Sequence, residues 1–304
     1  MSNDERPAPG HGHGSHDSAH IDWEVFGPVL ERGAELHTPV YEQAAVWLGE
    51  LLMAQAGAGS DGVRRVLDIG SGPGVVSCLL ARAFPAAEVV AVDANEALLE
   101  RARGRAGRLG LEDRVHTHLA ELPYGLDALG GADLIWSSRT LHHVGDQRAA
   151  VAALAGHLRP GGLLAVSEGG LASRYLPRDI GIGRPGLQSR LDAAGEEWFT
   201  EMRGALPDTA DDIEDWPAFL ADAGLCAPCS RSFLLDLPAP LSAEARAYVQ
   251  ETLAQALDLY GDHLDEDDLT TLARLTDPDD AAGITRRPDT FVLSAQTVHT
   301  ARAQ

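Results

Sequence analysis

The chain is expected to fold as an α/β domain, a doubly wound, mostly parallel seven-stranded sheet with an N-terminal helical extension and a helical cap. Three patterns in the 304 residues lead there. Apolar residues recur at helical spacing from 21 to about 56, short β-branched runs then alternate with helical stretches, and after Glu168 that alternation gives way to helical patches.

In the leading segment Thr38-Pro39 supplies a capping hydroxyl followed by a proline suited to the first helical position, so two helices precede the first strand. Strands are expected near 63–69, 88–93, 114–119, 133–137 and 163–167, with helices near 75–84, 95–109 and 146–158 between them. Such alternation implies right-handed crossovers and a parallel sheet covered on both faces. A Gly-, Pro- and Arg-rich stretch then runs to about 190, followed by two acidic helical patches reaching Gly224. A sixth strand is expected at 230–237, a helical insertion at 242 to about 283, and a last strand at 290–298. There is no internal repeat. The division that follows is a His-rich tail at 1–20, N-terminal helices at 21–60, and a domain at 61–304 with cap insertions at about 171–215 and 242–283. The tail, with His11, His13, His16 and His20, has nothing to bury and is expected to be disordered.

Composition excludes several chemistries. Acidic residues number 46 against 24 basic ones, for a net charge of -22, and every basic residue is arginine. Without lysine there is no Schiff-base chemistry, no lysine general base and no P-loop lysine. So acidic a chain repels phosphate backbones, which disfavours a nucleic-acid partner. The three cysteines are too few for a disulfide-built fold, and no apolar run approaches the ~18 residues that span a bilayer. The expectation is a soluble, cytoplasmic protein without membrane contact. Cys226-Ala227-Pro228-Cys229 has no second ligand pair nearby and is read as incidental, so no metal site is expected.

The most informative segment is Asp68-Ile69-Gly70-Ser71-Gly72-Pro73-Gly74, a glycine turn between a strand and a helix. Such turns let a ligand approach the backbone N–H groups and the helix N-terminus. The dinucleotide fingerprint requires a glycine where Val75 stands, and Asp68 would repel a pyrophosphate. A carboxylate there suits an ammonium group, met directly or through water. Val89-Val90-Ala91-Val92-Asp93 follows about twenty residues later, a strand ending in an acid that can accept two ribose hydroxyls.

Val66-Leu67-Asp68-Ile69-Gly70-Ser71-Gly72-Pro73-Gly74 resembles the first motif of the class I S-adenosylmethionine-dependent methyltransferases. Ala132-Asp133-Leu134-Ile135-Trp136-Ser137-Ser138, continuing into Arg139-Thr140-Leu141-His142-His143-Val144, resembles the family's fourth strand. Leu158-Arg159-Pro160-Gly161-Gly162, before a strand ending in Glu168, resembles the turn into its fifth. The resemblance covers about residues 60–170, is to the small-molecule type, and implies a Rossmann-like fold with S-adenosyl-L-methionine as cofactor. It implies cofactor contacts from Asp68, Gly70, Ser71, Gly72, Gly74, Asp93, Ala94, His118, Leu119 and Ser137. One departure stands out. Where the family carries an acid that binds the adenine amino group, this chain reads Thr117-His118-Leu119-Ala120-Glu121-Leu122-Pro123. Either a neutral His118 nitrogen accepts from that amino group or the backbone beside Leu119 does.

Ligands of open parallel sheets lie beyond the carboxyl ends of the strands, which directs Ser137–His143 and Glu168 toward the transferred methyl. His142, His143 and Glu168 are the candidate catalytic groups, although a sulfonium donor is already activated and positioning alone can suffice. Arg139 and, in the stretch after the fifth strand, Arg174, Arg178 and Arg184 are candidates to bind a carboxylate or phosphate of the substrate. Trp198, Phe199, Trp216, Phe219, Tyr248 and Tyr260 lie in segments that could form a lid. The expected activity is methyl transfer to a small molecule, an acid or secondary metabolite. A non-methylating enzyme on the same fold and a non-catalytic binding module stay open as alternatives.

Overall fold

A computed structural model describes residues 23–55 and 62–304. The His-rich stretch 1–20 and the expected boundary at 60 and 61 lie outside the described residues. In chain order the elements are α1 (Trp23–Leu36), α2 (Thr38–Gln55), β1 (Arg65–Ile69), α3 (Val75–Ala83), β2 (Glu88–Asp93), α4 (Glu96–Arg108), β3 (Val115–Leu119) and β4 (Ala132–Ser138). There follow α5 (Gln147–Ala155), β5 (Leu158–Arg174), α6 (Leu187–Gly204), α7 (Trp216–Asp222), β6 (Cys226–Leu237), α8 (Ala243–Tyr260), α9 (Glu266–Thr276) and β7 (Val292–Arg302).

The strands form one seven-stranded sheet in the order β3-β2-β1-β4-β5-β7-β6. β1 to β5 run parallel, and β7 inserts antiparallel between β5 and β6. The strand order turns back between β1 and β4, and that switch point opens a crevice at their carboxyl ends. Alternate residues of the central strands feed two cores. Val66, Val89, Leu134, Trp136 and Ala165 face Leu48 of α2, Leu80 of α3 and Val249 of α8. Leu67, Ile69, Val92, Ile135 and Val166 face Val151 and Leu154 of α5 and Phe219 of α7. The near-continuous apolar runs of β1 and β2 are what burial on both faces demands. β7 instead alternates buried and half-buried residues along its length, as an antiparallel strand with one covered face should.

Two local expectations are corrected. Thr38 does not cap α2: it is the first helical residue, and its hydroxyl turns back 3.5 Å to the Ala34 carbonyl of α1. The buried His37 joins the two helices, its Nδ1 lying 2.8 Å from the Gly33 carbonyl oxygen. The fifth strand, expected to stop at 167, runs on to Arg174 through irregularities in its pairing with β7. Gly169-Gly170 looks like a terminator in the sequence. In the fold, Gly170 brings its backbone so close to β7 that a methyl there would lie 2.2 Å from the Ala295 oxygen. The first residues of the expected cap, 171–174, are therefore sheet.

Helix α1 is strapped to two other helices. Arg32 pairs with Glu251 of α8 at 2.6 Å, and Arg105 of α4 reaches Glu31 and Glu35 at 2.6 and 2.8 Å. No helix among the described residues is long and apolar enough to cross a membrane.

Candidate active site

The glycine turn links β1 to α3 and is clamped to β2, with Gly70 and Ser71 both donating to the Val92 carbonyl at 2.8 and 3.0 Å. Gly70, Gly72 and Gly74 adopt φ of +69°, +53° and +76°, the left-handed region that L side chains avoid. Their surroundings separate their roles. A methyl on Gly70 would lie 2.0 Å from the Thr140 hydroxyl, and one on Gly74 would lie 2.6 Å from the Ala102 methyl of α4. A methyl on Gly72 would meet nothing within 4 Å. Two of the glycines are thus required by the protein's own packing, while Gly72 fronts open space.

Behind the turn, Asp68 is 2% exposed and accepts from the Ser77 hydroxyl at 2.5 Å. Burial, assisted by nearby Asp93, pushes its carboxyl up to about 7 despite that hydrogen bond. Asp93 ends β2 with Oδ2 accepting from Gly72 N and Oδ1 from Asn95 N, each at 2.9 Å. Burial raises this carboxyl too, and the amides of Asn95, Gly72 and Ala94 oppose the shift. Asn95 then caps α4 by accepting from Ala97 N and Leu98 N. One strand end thereby fixes the turn, the acid and the next helix. Alongside, Leu119 is paired in register with Asp93 and remains 54% exposed. His118 places Nε2 2.9 Å from the Gly125 carbonyl oxygen, which makes that nitrogen the donor and leaves Nδ1 as the ring's acceptor.

The loop after β4 is organised by Glu168. Its Oε1 accepts from Thr140 N and Leu141 N at 2.8 Å each, and its Oε2 lies 2.9 Å from His142 Nδ1. Burial would raise this carboxyl, but the His142 contact and the two amides outweigh burial and hold it below its ordinary range. Both Glu168 oxygens are engaged within the protein. His142 packs against Phe199 of α6, and Arg203 of the same helix donates to the His142 and Val144 carbonyls at 2.9 and 2.6 Å. His143 stacks on His142 with 4.1 Å between ring centroids. Burial, then the neighbouring His142, push its imidazole down to about 4. Ser137 is buried, and the hydroxyls of Ser71, Ser137, Ser138 and Ser167 have no hydrogen-bond partner among the described residues.

Arg139 stands at the head of this loop with φ +52°, and its amide donates to the Ser167 carbonyl at 3.0 Å. Its side chain is exposed to solvent. Tyr248, Tyr41, Tyr175 and Glu168 lie close enough to influence its charge, in the direction of the cation. The Tyr175 and Tyr248 rings lie 6.4 Å apart. Beyond Tyr175 a cavity of about 270 Å3 opens between β5, α6 and α8.

The other arginines behave differently. Arg174 reaches Asp192 and Ser189 at 3.5 Å, and Arg184 is held by Asp265 and Asp268. Arg178 is exposed on the surface. Trp216 and Phe219 are core residues that stack on each other, so they do not line a lid. Ser77, Arg203, Tyr41 and Tyr175 were not singled out from the sequence. Only Ser77 carries a local signal, since it lies within the helix that the glycine turn opens.

The sheet order, with its antiparallel seventh strand and a glycine turn at the switch point, defines a Rossmann-like domain of the class I methyltransferase type. Residues 66–162 match the family model described as a methyltransferase domain, so the chain carries a methyltransferase domain. Over 207 residues the chain is 33% identical to Methyltransferase GfsG of Streptomyces halstedii, covering 67% of this chain and 63% of that protein. It is 29% identical to 27-O-demethylrifamycin SV methyltransferase of Amycolatopsis mediterranei, over 64% of this chain and 75% of the relative. A trans-aconitate 2-methyltransferase of Methylobacterium radiotolerans is 37% identical over 34% of this chain and 37% of its own length. The chain thus spans less than two thirds of the length of two of these three relatives. Among solved structures, the YcgJ protein of Bacillus subtilis aligns over 84% of this chain and 98% of its own, with 20% identity and a TM-score of 0.47.

Proposed function

We propose that this chain transfers the methyl group of S-adenosylmethionine to a small-molecule acceptor. The observation that carries the reading is the Gly70–Gly74 turn, whose one glycine facing open space, Gly72, is locked to Asp93. The residues present fit the cofactor. Asp68 offers a carboxylate for an ammonium, Asp93 keeps lone pairs for a ribose diol, and Leu119 offers an apolar surface for a base. The unpartnered hydroxyls of Ser71, Ser137, Ser138 and Ser167 are hydrogen-bonding capacity that the chain does not use internally. Ala94 and the acceptor nitrogen of His118 belong to the same proposed contact set.

Bound there, the cofactor would supply a methyl already activated on a sulfonium. The chain's own part is then largely positioning. Glu168 fixes the Thr140–His142 turn through two amides and an imidazole, so we assign Glu168 and His142 to holding the loop. His143 has a neutral ring at neutral pH and no hydrogen-bond partner among the described residues. It is the group that would receive a proton from an acidic acceptor. The names of the relatives, among them a rifamycin and a trans-aconitate methyltransferase, support a small molecule over a macromolecule. The chain's net charge of -22 also argues against nucleic acid.

The test is transfer of labelled methyl from S-adenosylmethionine to a panel of small acids and phenols. Incorporation into at least one acceptor is expected; cofactor binding with no transfer to any of them would leave a binding module instead.

A further inference from the structure

A row of buried polar atoms without a partner among the described residues lies on one face of the sheet. It consists of Trp136 Nε1, the hydroxyls of Ser138, Ser167 and Ser294, and Gln296 Oε1. Ser138 stands two residues beyond Trp136 and Ser167 two beyond Ala165, and the alternation of a strand turns all four side chains to the core that α2 and α8 cover. On β7, Ser294 and Gln296 alternate with half-buried residues between Val292 and Val298, which belong to the same core. The pairing makes the row contiguous: Ser138 is opposite Ser167, Ser167 opposite Val298, and Gln296 opposite Gly170. Because β4 is the neighbour of β1, the row starts beside the glycine turn and crosses β5 to β7. Ser167, Ser294 and Gln296 are 2, 3 and 8% exposed, so water outside the fold does not serve them. Each such group weakens the fold, and a contiguous row of them is accounted for by what binds there.

The row ends at a cavity. Ser294 falls between the pairs Leu171–Ala295 and Arg174–Leu293, so it lies beside residues 172 and 173. Ala172 and Ser173 line the cavity of about 270 Å3, and its apolar lining, Leu191, Leu253 and Ala256, belongs to the core that Val292 and Val298 join. Row and cavity thus share one side of the sheet at its carboxyl edge, where ligands of this architecture lie. Their groups select the ligand. Gln296 Oε1 and the cavity carboxylates of Asp192 and Glu196 can only accept hydrogen bonds, whereas Trp136 Nε1 alone can only donate. A ligand rich in donors fits such a set. No arginine is among the residues lining the cavity, so an anion would meet only carboxylates, and the row itself holds no charge to match a cation. Aromatic rings accept the carbon skeleton: Tyr175 and Tyr260 line the cavity, and Tyr41 meets Trp136 edge-on with 6.4 Å between centroids. Resting on the methyl-transfer reading above, we propose that this row and the adjoining cavity bind the acceptor, and that the acceptor is a neutral molecule with several free hydroxyls, which donate to Gln296, Asp192 and Glu196 and exchange hydrogen bonds with Ser138, Ser167 and Ser294.

The test uses two scaffolds. Phenyl glucoside is compared with its fully O-methylated ether, with phenyl glucuronide as the anion and phenyl glucosaminide as the cation; methyl gallate is compared with its tri-O-methyl ether and with gallate. Each is titrated into the full chain with and without S-adenosylhomocysteine. In at least one scaffold the neutral polyol should bind roughly tenfold more tightly than its ether, and more tightly than its charged analogues. Ser294→Ala and Gln296→Met should each weaken polyol binding roughly three- to tenfold and leave S-adenosylhomocysteine affinity unchanged. Neither should lower Tm, because each replaces a polar atom that the fold leaves unpaired, whereas a residue serving only the fold would lower it. The proposal is overturned if neither polyol outbinds its ether, if a charged analogue outbinds its neutral parent in both scaffolds, or if both variants keep the wild-type preference, which would leave the row to ordered water. A wild-type chain that ignores S-adenosylhomocysteine but still prefers the polyol would sink the methyl-transfer reading alone.

Discussion

An alanine at position 70 would press its methyl to 2.0 Å from the Thr140 hydroxyl, so the first glycine of the turn is also a contact between the β1 and β4 loops. Gly70→Ala should cost about 2–4 kcal/mol of stability, from left-handed strain plus overpacking, read as a lower denaturant midpoint with an unchanged slope. Gly72→Ala meets only the strain, about 1–2 kcal/mol, and should instead show its larger effect on S-adenosylhomocysteine affinity. Equal effects of the two on both measurements would contradict the division of roles. Glu168→Gln removes a carboxylate that accepts two amides and holds an imidazole, and should cost about 2 kcal/mol. Because Glu168 titrates below its ordinary range in the fold, its contribution is present above about pH 4.5 and is lost as the pH falls through the lower folded value. The variant's stability should therefore converge on the wild type's in acid, checked by denaturation at pH 7 and pH 3.5.

At the scale of elements, what was legible in the sequence was what is local. The β1–turn–α3 unit and the acid ending β2 announce themselves because each is written in under ten consecutive residues. The extension of β5 to Arg174 did not, because two glycines that read as a terminator are there to let the backbone approach β7. The neighbours of Arg139 were equally hidden. Arg139 was a visible candidate, but positions 41, 175 and 248 near it come from three distant stretches of chain that only tertiary packing brings together. The helix belt belongs to this class too. Half-buried Glu31 pairs with Arg105, Arg101 and Arg108, so Glu31→Ala should loosen α1 and cost about 1–2 kcal/mol, more than an exposed pair would. Faster amide exchange confined to 23–36 would confirm it; unchanged exchange there would refute the belt.

Over the whole molecule, two consequences of charge follow. A net charge of -22 with no lysine opposes compaction through self-repulsion, so raising NaCl from about 0.05 to 0.5 M should raise Tm, since the Debye length shrinks below typical charge spacings. A Tm that falls with salt would mean that the arginine–carboxylate pairs outweigh the repulsion. Asp68 makes the second prediction. Its folded carboxyl, raised to about 7, is protonated below that pH, so binding a cationic ammonium there must displace a proton. Cofactor affinity should rise as pH increases from about 6 to 8, and Asp68→Asn should flatten that slope.

The central claim is that the glycine turn and Asp93 hold S-adenosylmethionine, and calorimetric titration with S-adenosylhomocysteine tests it most directly. The wild-type chain should bind one equivalent with a dissociation constant between about 1 μM and 1 mM, and Asp93→Ala should bind at least roughly tenfold more weakly. Absence of binding by the folded wild-type chain, or equal binding by Asp93→Ala, would contradict it.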